Sequence, residues 1–349
     1  MSEKEKGLKL DDDLYSRSIF TFGMETMKKL SSMKILIIGM RGLGIETAKN
    51  IILSGPGEVD IFDPTPVKIN DLGSNFYLRE EDINKKRDEA CLDKLSKLNP
   101  YVKVSVMRIE NNSENNDYIN NFCQKLVKEK YNVVVFTELH PMYFIDQVDK
   151  KCRENNIKLI YGICLGLVGY IFTDFGPKHI IFDETGREIK TFLVKSITKD
   201  KNGLVTVDNI QGTNDLNIGD GDYVQFKNVE GMEELNDETK DFRIRMKSSD
   251  SFYIGDTSNF SEYKKGGIVY EVKKPKTYQY YPFCQRALMI CDDYHPFNFF
   301  DSEKSGRSEL LYMALSAIHD YYLAKNCQLP ELNNMEEAKK ILEKVKLII

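Results

Sequence analysis

Residues 34–51 read KILIIGMRGLGIETAKNI, and this stretch decides the fold. Four apolar residues follow Lys34 and predict a short buried strand, and a glycine-containing turn follows at residues 39–44. After the turn, apolar side chains recur at helical spacing. A strand that runs through a glycine turn into a helix is the layout that holds a nucleotide phosphate at the N-terminus of the helix. The stretch therefore predicts an α/β fold and raises the question of whether its turn binds a nucleotide.

The turn departs from the dinucleotide-binding pattern GxGxxG, whose second glycine lets the backbone approach the pyrophosphate closely. Counted from Gly39, the three positions are Gly39, Arg41 and Gly44, with an additional glycine at Gly42. Arg41 places a Cβ and a long side chain at the closest phosphate approach, whereas Gly42 and Gly44 permit tight packing of the strand against the helix. Asp63 follows at the distance expected for a ribose-binding acid. The turn alone favours a structural role over cofactor binding.

The remainder of the first half alternates between apolar runs and segments of helical periodicity. The runs are EVDIF (58–62), VKVSVM (102–107), NVVVF (132–136) and KLIYGICLG (158–166). Such runs between helices predict a Rossmann-like, mostly parallel sheet covered on both faces. A single helix is predicted over residues 14–30, before the first strand.

The pattern changes at residue 177. Short segments punctuated by turns follow, and Phe242, Ile244 and Met246 alternate with charged residues, which predicts a small all-β module over 177–273. Residues 274–349 then form a linker and the start of a helical bundle. One helical stripe is predicted there from Leu311, Ala314, Leu315, Ile318 and Tyr322, and Asn334 with Glu337 resembles a capping box. The apolar end at Ile349 leads us to expect a longer protein. The predicted domains are thus 1–176, 177–273 and 274–349.

Composition limits the possible functions. The 349 residues carry a net charge of −5, which gives no general attraction to nucleic acid or to an anionic membrane surface. With no signal-like start and no run of about eighteen apolar residues, we expect a soluble intracellular protein. Its seven cysteines form no CxxC pair, its four histidines are widely spaced, and no metal site is predicted. These residues are Cys91, Cys123, Cys152, Cys164, Cys284, Cys291 and Cys327, with His140, His179, His295 and His319.

Several long motifs together resemble one family. YSRSIFTFGMETMKKL (15–30), GMRGLGIETAKNIILSG (39–55), DLGSNFYLREEDINKKRDEA (71–90) and LNPYVKV (98–104) are similar to the N-terminal half of ubiquitin-activating enzymes. GDYVQFKNVEGMEELN (221–236) and DTSNFSEYKKGGIVYEVKKPK (256–276) resemble the first catalytic-cysteine half-domain of the same family. The resemblance extends from about Asp12 to Lys276.

The resemblance implies an inactive nucleotide site in this chain. In the family, two related adenylation domains form a pseudo-dimer, and only the C-terminal one binds ATP and magnesium. That active copy carries GxGGxG, where this chain has GMRGLG. Thr65 stands where the second aspartate of a DxD segment would hold the ribose, and Asp63 is the first, structural member of that pair. Ser74 replaces the arginine that contacts the triphosphate.

Some remnants of the active pattern are kept. Lys85 and Arg87 lie near the position of the phosphate-binding lysine, and Glu138 lies near the position of the magnesium site. They do not replace the lost groups, so residues 1–176 are expected to form the inactive adenylation domain. No cofactor is expected to bind this chain alone.

Other residues acquire expected roles from the same resemblance. Arg17, in YSRS, matches the arginine that reaches the ATP phosphates of the partner domain in trans, although by itself it reads as a surface residue of a helix. A polar loop could contact ubiquitin or could be an ordinary turn. The candidates in that loop are Asp256, Thr257, Asn259, Tyr263 and Lys264. No cysteine lies in the family's nucleophile context, so the thioester cysteine is expected beyond Ile349.

The sequence therefore predicts the N-terminal part of a ubiquitin-activating enzyme of the cytoplasm and nucleus. Its expected partners are ubiquitin, the active adenylation domain and ubiquitin-conjugating enzymes, with neither nucleic acid nor a membrane. Two alternatives remain open. One is a regulatory subunit of a heterodimeric activating enzyme for another ubiquitin-like modifier. The weaker one is a nicotinamide oxidoreductase.

Overall fold

A computed structural model describes residues 11, 13–109, 118–184, 186–209, 218–283, 307–325 and 334–348. The chain divides into two compact units. We call residues Met1–Lys178 together with Gln279–Ile349 the α/β unit, and residues His179–Tyr278 the β unit. In sequence, the β unit is thus an insertion in the α/β unit.

The α/β unit contains a six-stranded sheet of order β3-β2-β1-β4-β5-β6. Strands β1 to β5 are parallel, and β6 pairs antiparallel with β5. The strands are β1 (Lys34–Ile38), β2 (Glu58–Phe62), β3 (Lys103–Val106), β4 (Val133–Phe136), β5 (Lys158–Leu165) and β6 (Val168–Asp174). The predicted mostly parallel, Rossmann-like sheet is confirmed. Because the strand order reverses beside β1, the crevice at the carboxyl ends of β1 and β4 is where this type of sheet binds ligands.

Helices cover both faces of this sheet. Along β1, Leu36 and Ile38 pack into one apolar cluster with helices α5 and α6, while Ile35 and Ile37 pack into a second with α3 and α4. The helices are α1 (Ser16–Phe22), α2 (Met24–Ser31), α3 (Gly42–Ser54), α4 (Arg87–Ser96), α5 (Tyr118–Glu129), α6 (Met142–Glu154), α7 (Arg307–Ala324) and α8 (Met335–Ile348). Two short 3-10 helices, Ile69–Gly73 and Glu80–Asp82, precede α4. None of the helices in the described ranges is long and apolar enough to cross a membrane.

The N-terminal helix differs from its prediction. Instead of one helix over 14–30, α1 ends before Gly23 and α2 begins after it. Gly23 has a φ of +81°, a backbone conformation that interrupts an α-helix and that glycine adopts readily. Tyr15 anchors the start of this segment, since its buried hydroxyl accepts a hydrogen bond from Asn99 Nδ2 at 2.7 Å.

The β unit is antiparallel throughout its described strands. Seven strands form a sheet of order β11-β10-β14-β8-β9-β13-β12, and β7 pairs with β15. The strands are β7 (His179–Ile181), β8 (Thr191–Ile197), β9 (Leu204–Asn209), β10 (Tyr223–Lys227), β11 (Phe242–Arg243), β12 (Arg245–Ser248), β13 (Ser251–Tyr253), β14 (Ile268–Val272) and β15 (Lys276–Tyr278). A 3-10 helix, Glu233–Asn236, accompanies them. One apolar cluster that includes Phe192, Phe226 and Phe252 forms the core, as expected for a small all-β module.

On the C-terminal helix α7, the predicted residues Ala314, Leu315 and Ile318 are half-buried, and Leu315 packs against the apolar cluster that α5 and α6 share. On α7 the buried side chains are Met313, Ala317 and Tyr321, and the first two form a small cluster with Val345 of α8. Asn334 Oδ1 accepts the Glu337 N–H at 3.2 Å, which is half of the predicted capping box. The side chains of Leu311 and Tyr322, named in the predicted stripe, lie outside the described residues.

Buried charged groups hold together the two chain segments that flank the insertion. Arg153 of α6 donates to Asp174 Oδ2 at 2.5 Å and to the Tyr280 carbonyl at 3.2 Å. Asp149 accepts the Phe283 N–H at 2.8 Å. Burial raises the pKa of Asp149 to about 7, and the charge of Asp174 adds to the increase, whereas the Phe283 N–H and Arg153 oppose it. The α/β unit therefore carries a buried carboxyl group that remains protonated well above its ordinary range.

This carboxyl group predicts a dependence of stability on pH. Between about pH 4 and pH 7, Asp149 binds a proton in the folded state and has lost it in the unfolded state, so stability falls as pH rises. The loss is about 1.4 kcal/mol per pH unit at most. Asp149→Asn cannot titrate and still offers an oxygen to Phe283. In urea unfolding from pH 5 to pH 8, the variant should lose less stability than the wild type.

Glu154→Gln provides the control, because Glu154 lies on the same helix with 63% of its side chain exposed. That variant should follow the wild-type pH profile. If Asp149→Asn also follows the wild-type profile, Asp149 does not hold the proton.

Candidate functional site

The turn after β1 is closely packed against the helix that follows it. Gly39 has a φ of +96°, and its N–H donates to the Phe62 carbonyl at 2.9 Å. A Cβ placed on Gly44 would lie 1.9 Å from the Gly39 carbonyl oxygen, closer than atoms can approach. Thr137 donates from its hydroxyl to the carbonyls of Ile38 and Gly39. The glycines thus preserve the strand-to-helix geometry predicted from the sequence.

A buried arginine lies under this turn. Arg87, at the start of α4, has 1% of its side chain exposed and binds both oxygens of Asp63, with Nε 2.7 Å from Oδ2 and Nη2 3.2 Å from Oδ1. Its Nη1 donates to Asp71 Oδ1 at 3.2 Å. Burial by itself would lower the pKa of Arg87, but the charges of Asp63, Glu138 and Asp71 outweigh it and raise the pKa. The guanidinium is therefore fully engaged within the fold.

Asp63 likewise has a structural task. Its Oδ2 accepts the Met40 N–H at 2.8 Å, inside the turn, and its Oδ1 accepts the Thr65 N–H at 3.2 Å. Asn75 holds the same turn from another side, donating to the Met40 carbonyl at 2.7 Å. In the DLGSNF motif (71–76), Asp71 and Asn75 contact the site, whereas the sequence predicted a role only for Ser74. Ser74 is exposed, and its Cβ would lie 3.1 Å from a Cβ at Gly42.

Arg41 lies at the mouth of the site. Its Nε is 3.6 Å from Asp71 Oδ1 and 3.8 Å from Glu138 Oε2, and 45% of its side chain is exposed. Thr65 is also exposed. Lys85 forms an ion pair with Asp82 at 2.9 Å and has 55% of its side chain exposed. Of the two basic remnants predicted near the phosphate position, Arg87 is the one that reaches the cluster under the turn.

Glu138 follows β4 and lies directly over Gly39. A Cβ at Gly39 would be 2.6 Å from Glu138 Cγ, so only a glycine leaves room for this side chain. Burial raises the pKa of Glu138 to about 7, with the charge of Asp63 adding to the increase and Arg87 and Arg41 opposing it. His140, two residues on, has its pKa lowered to about 4 by burial and packs against Phe136 and Phe144. These groups are directed inward, toward the fold.

The cysteines show no reactive arrangement in the described ranges. Cys91, Cys123 and Cys152 are buried, and burial raises the pKa of Cys91 to about 11. A thiol of this kind is unreactive because the thiolate is the nucleophile. Cys164 is exposed. Cys284, Cys291, Cys327 and His295 lie outside the described residues, and no group of three potential metal ligands occurs among the residues that the structure does describe.

Arg17 is exposed on α1 and is separate from the turn. Among the described residues the Arg17 guanidinium forms no ion pair, and the Arg17 carbonyl accepts a hydrogen bond from Thr21 Oγ1 at 2.9 Å. Phe20 and Phe22 on the same helix are 93% and 63% exposed. The helix thus presents a free cation together with apolar surface.

The polar loop of the β unit divides into buried and exposed members. Thr257 is buried, and its hydroxyl donates to the Thr198 carbonyl at 2.8 Å, so it supports the loop. Tyr263 is half-buried and donates to the Gly266 carbonyl at 2.9 Å. Asp256, Asn259 and Lys264 are exposed and remain the candidates for contact with a partner.

The packing of Gly44 predicts a severe effect of one methyl group. Gly44→Ala should lower the free energy of unfolding by roughly 3 kcal/mol or more, because the backbone of Gly39 cannot move aside. Gly73→Ala is the matched control, since nothing lies within 4 Å of a Cβ at that position. Its effect should be within about 0.5 kcal/mol. Equal urea midpoints for the two variants would contradict the packing described for the turn.

The buried ion pairs predict a second contrast. Arg87→Met leaves Asp63 buried without its cation and leaves Asp71 with only the half-exposed Arg41, and it should reduce stability by roughly 3–5 kcal/mol. Arg41→Met removes a half-exposed cation of the same cluster and should cost less than about 1 kcal/mol. Urea unfolding at pH 7.5 measures both variants, and a loss at Arg41 as large as that at Arg87 would refute the assignment.

Two family models match this chain. The model of the ThiF family matches residues 15–207, and the model described as the ubiquitin-activating enzyme E1 FCCH domain matches residues 200–273. Two solved structures, E. coli MccB and the E. coli tRNA N6-threonylcarbamoyladenosine dehydratase TcdA, give TM-scores of 0.40 and 0.37 at 21% and 16% identity. They cover 49% and 43% of this chain, which in turn covers 50% and 58% of theirs.

Curated relatives align over almost the whole chain. The ubiquitin-like modifier-activating enzyme 1 of Dictyostelium discoideum is 35% identical over 97% of this chain, and that of Homo sapiens is 35% identical over 95%. The ubiquitin-activating enzyme E1 2 of Arabidopsis thaliana is 36% identical over 98%. The chain spans only 31%, 29% and 30% of these three relatives. The resemblance to ubiquitin-activating enzymes is confirmed, and because the first family model spans more than half of the chain, this chain belongs to the ThiF family.

Proposed function

We propose that this chain is the N-terminal part of a ubiquitin-activating enzyme and forms its inactive adenylation domain and first catalytic-cysteine half-domain. The observation that carries the proposal is the state of the turn. Its strand-to-helix geometry is retained, while Arg87 and Asp63 are bound to each other instead of being directed at a ligand. The relatives and the match of the FCCH model to residues 200–273 support the same assignment.

In this proposal, the complete enzyme activates the C-terminal carboxylate of ubiquitin with ATP and magnesium, forms a thioester, and transfers ubiquitin to a conjugating enzyme. ATP does not fit the turn of this chain, because Glu138 lies over Gly39 and the nearby cations are already paired. ATP and magnesium are therefore assigned to a second adenylation domain. The thioester cysteine is assigned to a position beyond Ile349. We assign the enzyme to the cytoplasm and nucleus.

Arg17 is proposed to act on the ATP phosphates of that second domain. Its unpaired guanidinium and the exposed Phe20 and Phe22 on the same helix support a surface that another domain covers. A guanidinium suits phosphate oxygens because its planar donors bind two of them at once. In such a site it stabilises the charge that develops as pyrophosphate leaves.

The β unit is proposed to form one wall of the ubiquitin cleft. Asp256, Asn259 and Lys264 offer an exposed acceptor, amide and cation on a loop that Thr257 and Tyr263 support from inside. A rigid loop with exposed polar tips is suited to recognising a folded protein. The alternative of a regulatory subunit for another modifier is not favoured, since the curated relatives named above are ubiquitin-activating and ubiquitin-like modifier-activating enzymes matched over nearly the whole chain.

The test is an assay of ubiquitin-dependent ATP–pyrophosphate exchange. The protein assayed is the full-length protein that contains this chain, or its natural complex, purified with a tag on this chain. Arg17→Ala should slow the exchange at least roughly tenfold, because a positioned donor to the phosphates is lost. Lys28→Ala, an exposed cation on the neighbouring helix α2, serves as the control and should leave the rate unchanged. An unchanged rate for Arg17→Ala refutes the role of Arg17, and an assembly with no ubiquitin-dependent exchange refutes the proposed function.

A further inference from the structure

We propose that the Glu138 side chain fills the space over the turn after β1, residues 39–44, where a nucleotide fold binds phosphate, and that it excludes phosphate from this space. We call this space the nucleotide cradle. The inference concerns the described residues of the α/β unit alone. It holds whether or not the chain is part of an activating enzyme.

Glu138 blocks the turn sterically. Glycine at position 39 leaves the backbone bare at the point where a nucleotide fold admits a phosphate. Here the bare position is covered from within, since a Cβ on Gly39 would lie 2.6 Å from Glu138 Cγ and 3.1 Å from Cδ. Only 19% of the Glu138 side chain is exposed. A phosphate that entered along this path would meet the carboxyl group first.

The carboxyl group of Glu138 also lies beside the nearby cations. Glu138 Oε2 lies 3.7 Å from Arg87 Nη2 and 3.8 Å from Arg41 Nε, so it faces the two cations that a bound anion would also contact. Arg87 also pairs with Asp63 and Asp71, and Arg41 lies near Asp71. Three acidic groups and two arginines therefore share the cluster, and no positive charge is left for an incoming phosphate.

The Glu138 carboxyl group is itself unfavourable as an anion. Its Oε1 is buried and has no hydrogen-bond partner among the described residues, which is costly for an ionised oxygen. Burial and Asp63 together raise the pKa of Glu138 to about 7. One proton on Glu138 makes the five-residue cluster neutral. Glu138 thus fills the nucleotide cradle and lies against both arginines, and its own negative charge is readily neutralised by a proton.

Truncating Glu138 should uncover the cradle. Glu138→Ala removes the carboxyl group and leaves two arginines opposite two aspartates, beside the N-terminus of α3, whose free N–H groups favour anions. Glu138→Gln keeps the volume and removes only the acid. The two variants therefore separate occupation of the space from electrostatic repulsion.

The experiment is thermal unfolding of the 349-residue chain in increasing inorganic phosphate, with sodium chloride at matched ionic strength as the reference. Binding to the folded state alone raises the midpoint in a saturable way. We expect a saturable rise for Glu138→Ala and none for the wild type or Glu138→Gln. Adding Arg41→Ala to Glu138→Ala should weaken the effect at least roughly threefold in apparent affinity, since one cation facing the space is lost.

Three results would overturn the proposal. The first is saturable phosphate binding by the wild type, a measurement that depends on no variant. The second is a folded Glu138→Ala protein that gains no binding, with Glu138→Ser as a second truncation that must behave in the same way. The third is an equal gain in Glu138→Ala and Glu138→Gln, which would show that repulsion, not occupation of the space, keeps phosphate out. None of these readouts depends on ubiquitin or on Arg17, so they are distinct from failure of the proposed function.

Discussion

The contact between Arg87 and Asp63 is the interaction on which the rest of the site depends. It joins the start of α4 to the end of β2, and the second carboxylate, Asp71, adds the 3-10 segment between them. A charge buried to this degree is tolerated because every side of the guanidinium meets an acceptor. Asp63 then extends the network into the turn through the Met40 N–H. The backbone of the turn is thereby positioned by ion pairs that lie beneath it.

The same arginines and the same backbone turn cannot both stabilise the fold in this way and bind a ligand. A nucleotide site needs free cations, accessible N–H groups and an open path. In this chain the cations are paired, the path over Gly39 is covered by Glu138, and the carboxyl groups outnumber the arginines. What remains is a rigid strand-to-helix element, which is useful as a scaffold.

The groups available for interaction lie elsewhere. Arg17 is unpaired within the described residues, with Phe20 and Phe22 exposed on its helix, and the β unit presents Asp256, Asn259 and Lys264 on a supported loop. The contrast has a physical basis. A buried cluster whose charges are already paired gains little free energy from a partner, whereas an unpaired cation and exposed apolar surface gain more. The proposed function follows this division between a closed interior and an open surface.

Periodicity in the sequence determined the element types. Continuous apolar runs such as EVDIF can be buried on both faces only as central strands, and the strand before Gly39 and the helix after it follow from spacing alone. Local signals were weaker at Gly23, which divides the predicted first helix, and on α7, where Met313, Ala317 and Tyr321 are buried while the predicted Leu315 is only half-buried. A helical stripe depends on which neighbour covers it, and the neighbour is not visible in the sequence.

The missing second glycine of the turn is read directly from the sequence, and the resemblance to ubiquitin-activating enzymes predicts the further loss of a ribose acid at Thr65 and of an arginine at Ser74. Tertiary structure alone decided what replaced them. Asp63, Asp71, Arg87 and Glu138 belong to four separate segments that meet at Arg87. The hydrogen bond from Thr137 to the Ile38 carbonyl, which secures the same turn, spans 99 residues. Whether a charged side chain serves a ligand or the fold depends on such long-range neighbours, because electrostatic energy is set by distance and burial and not by position along the chain.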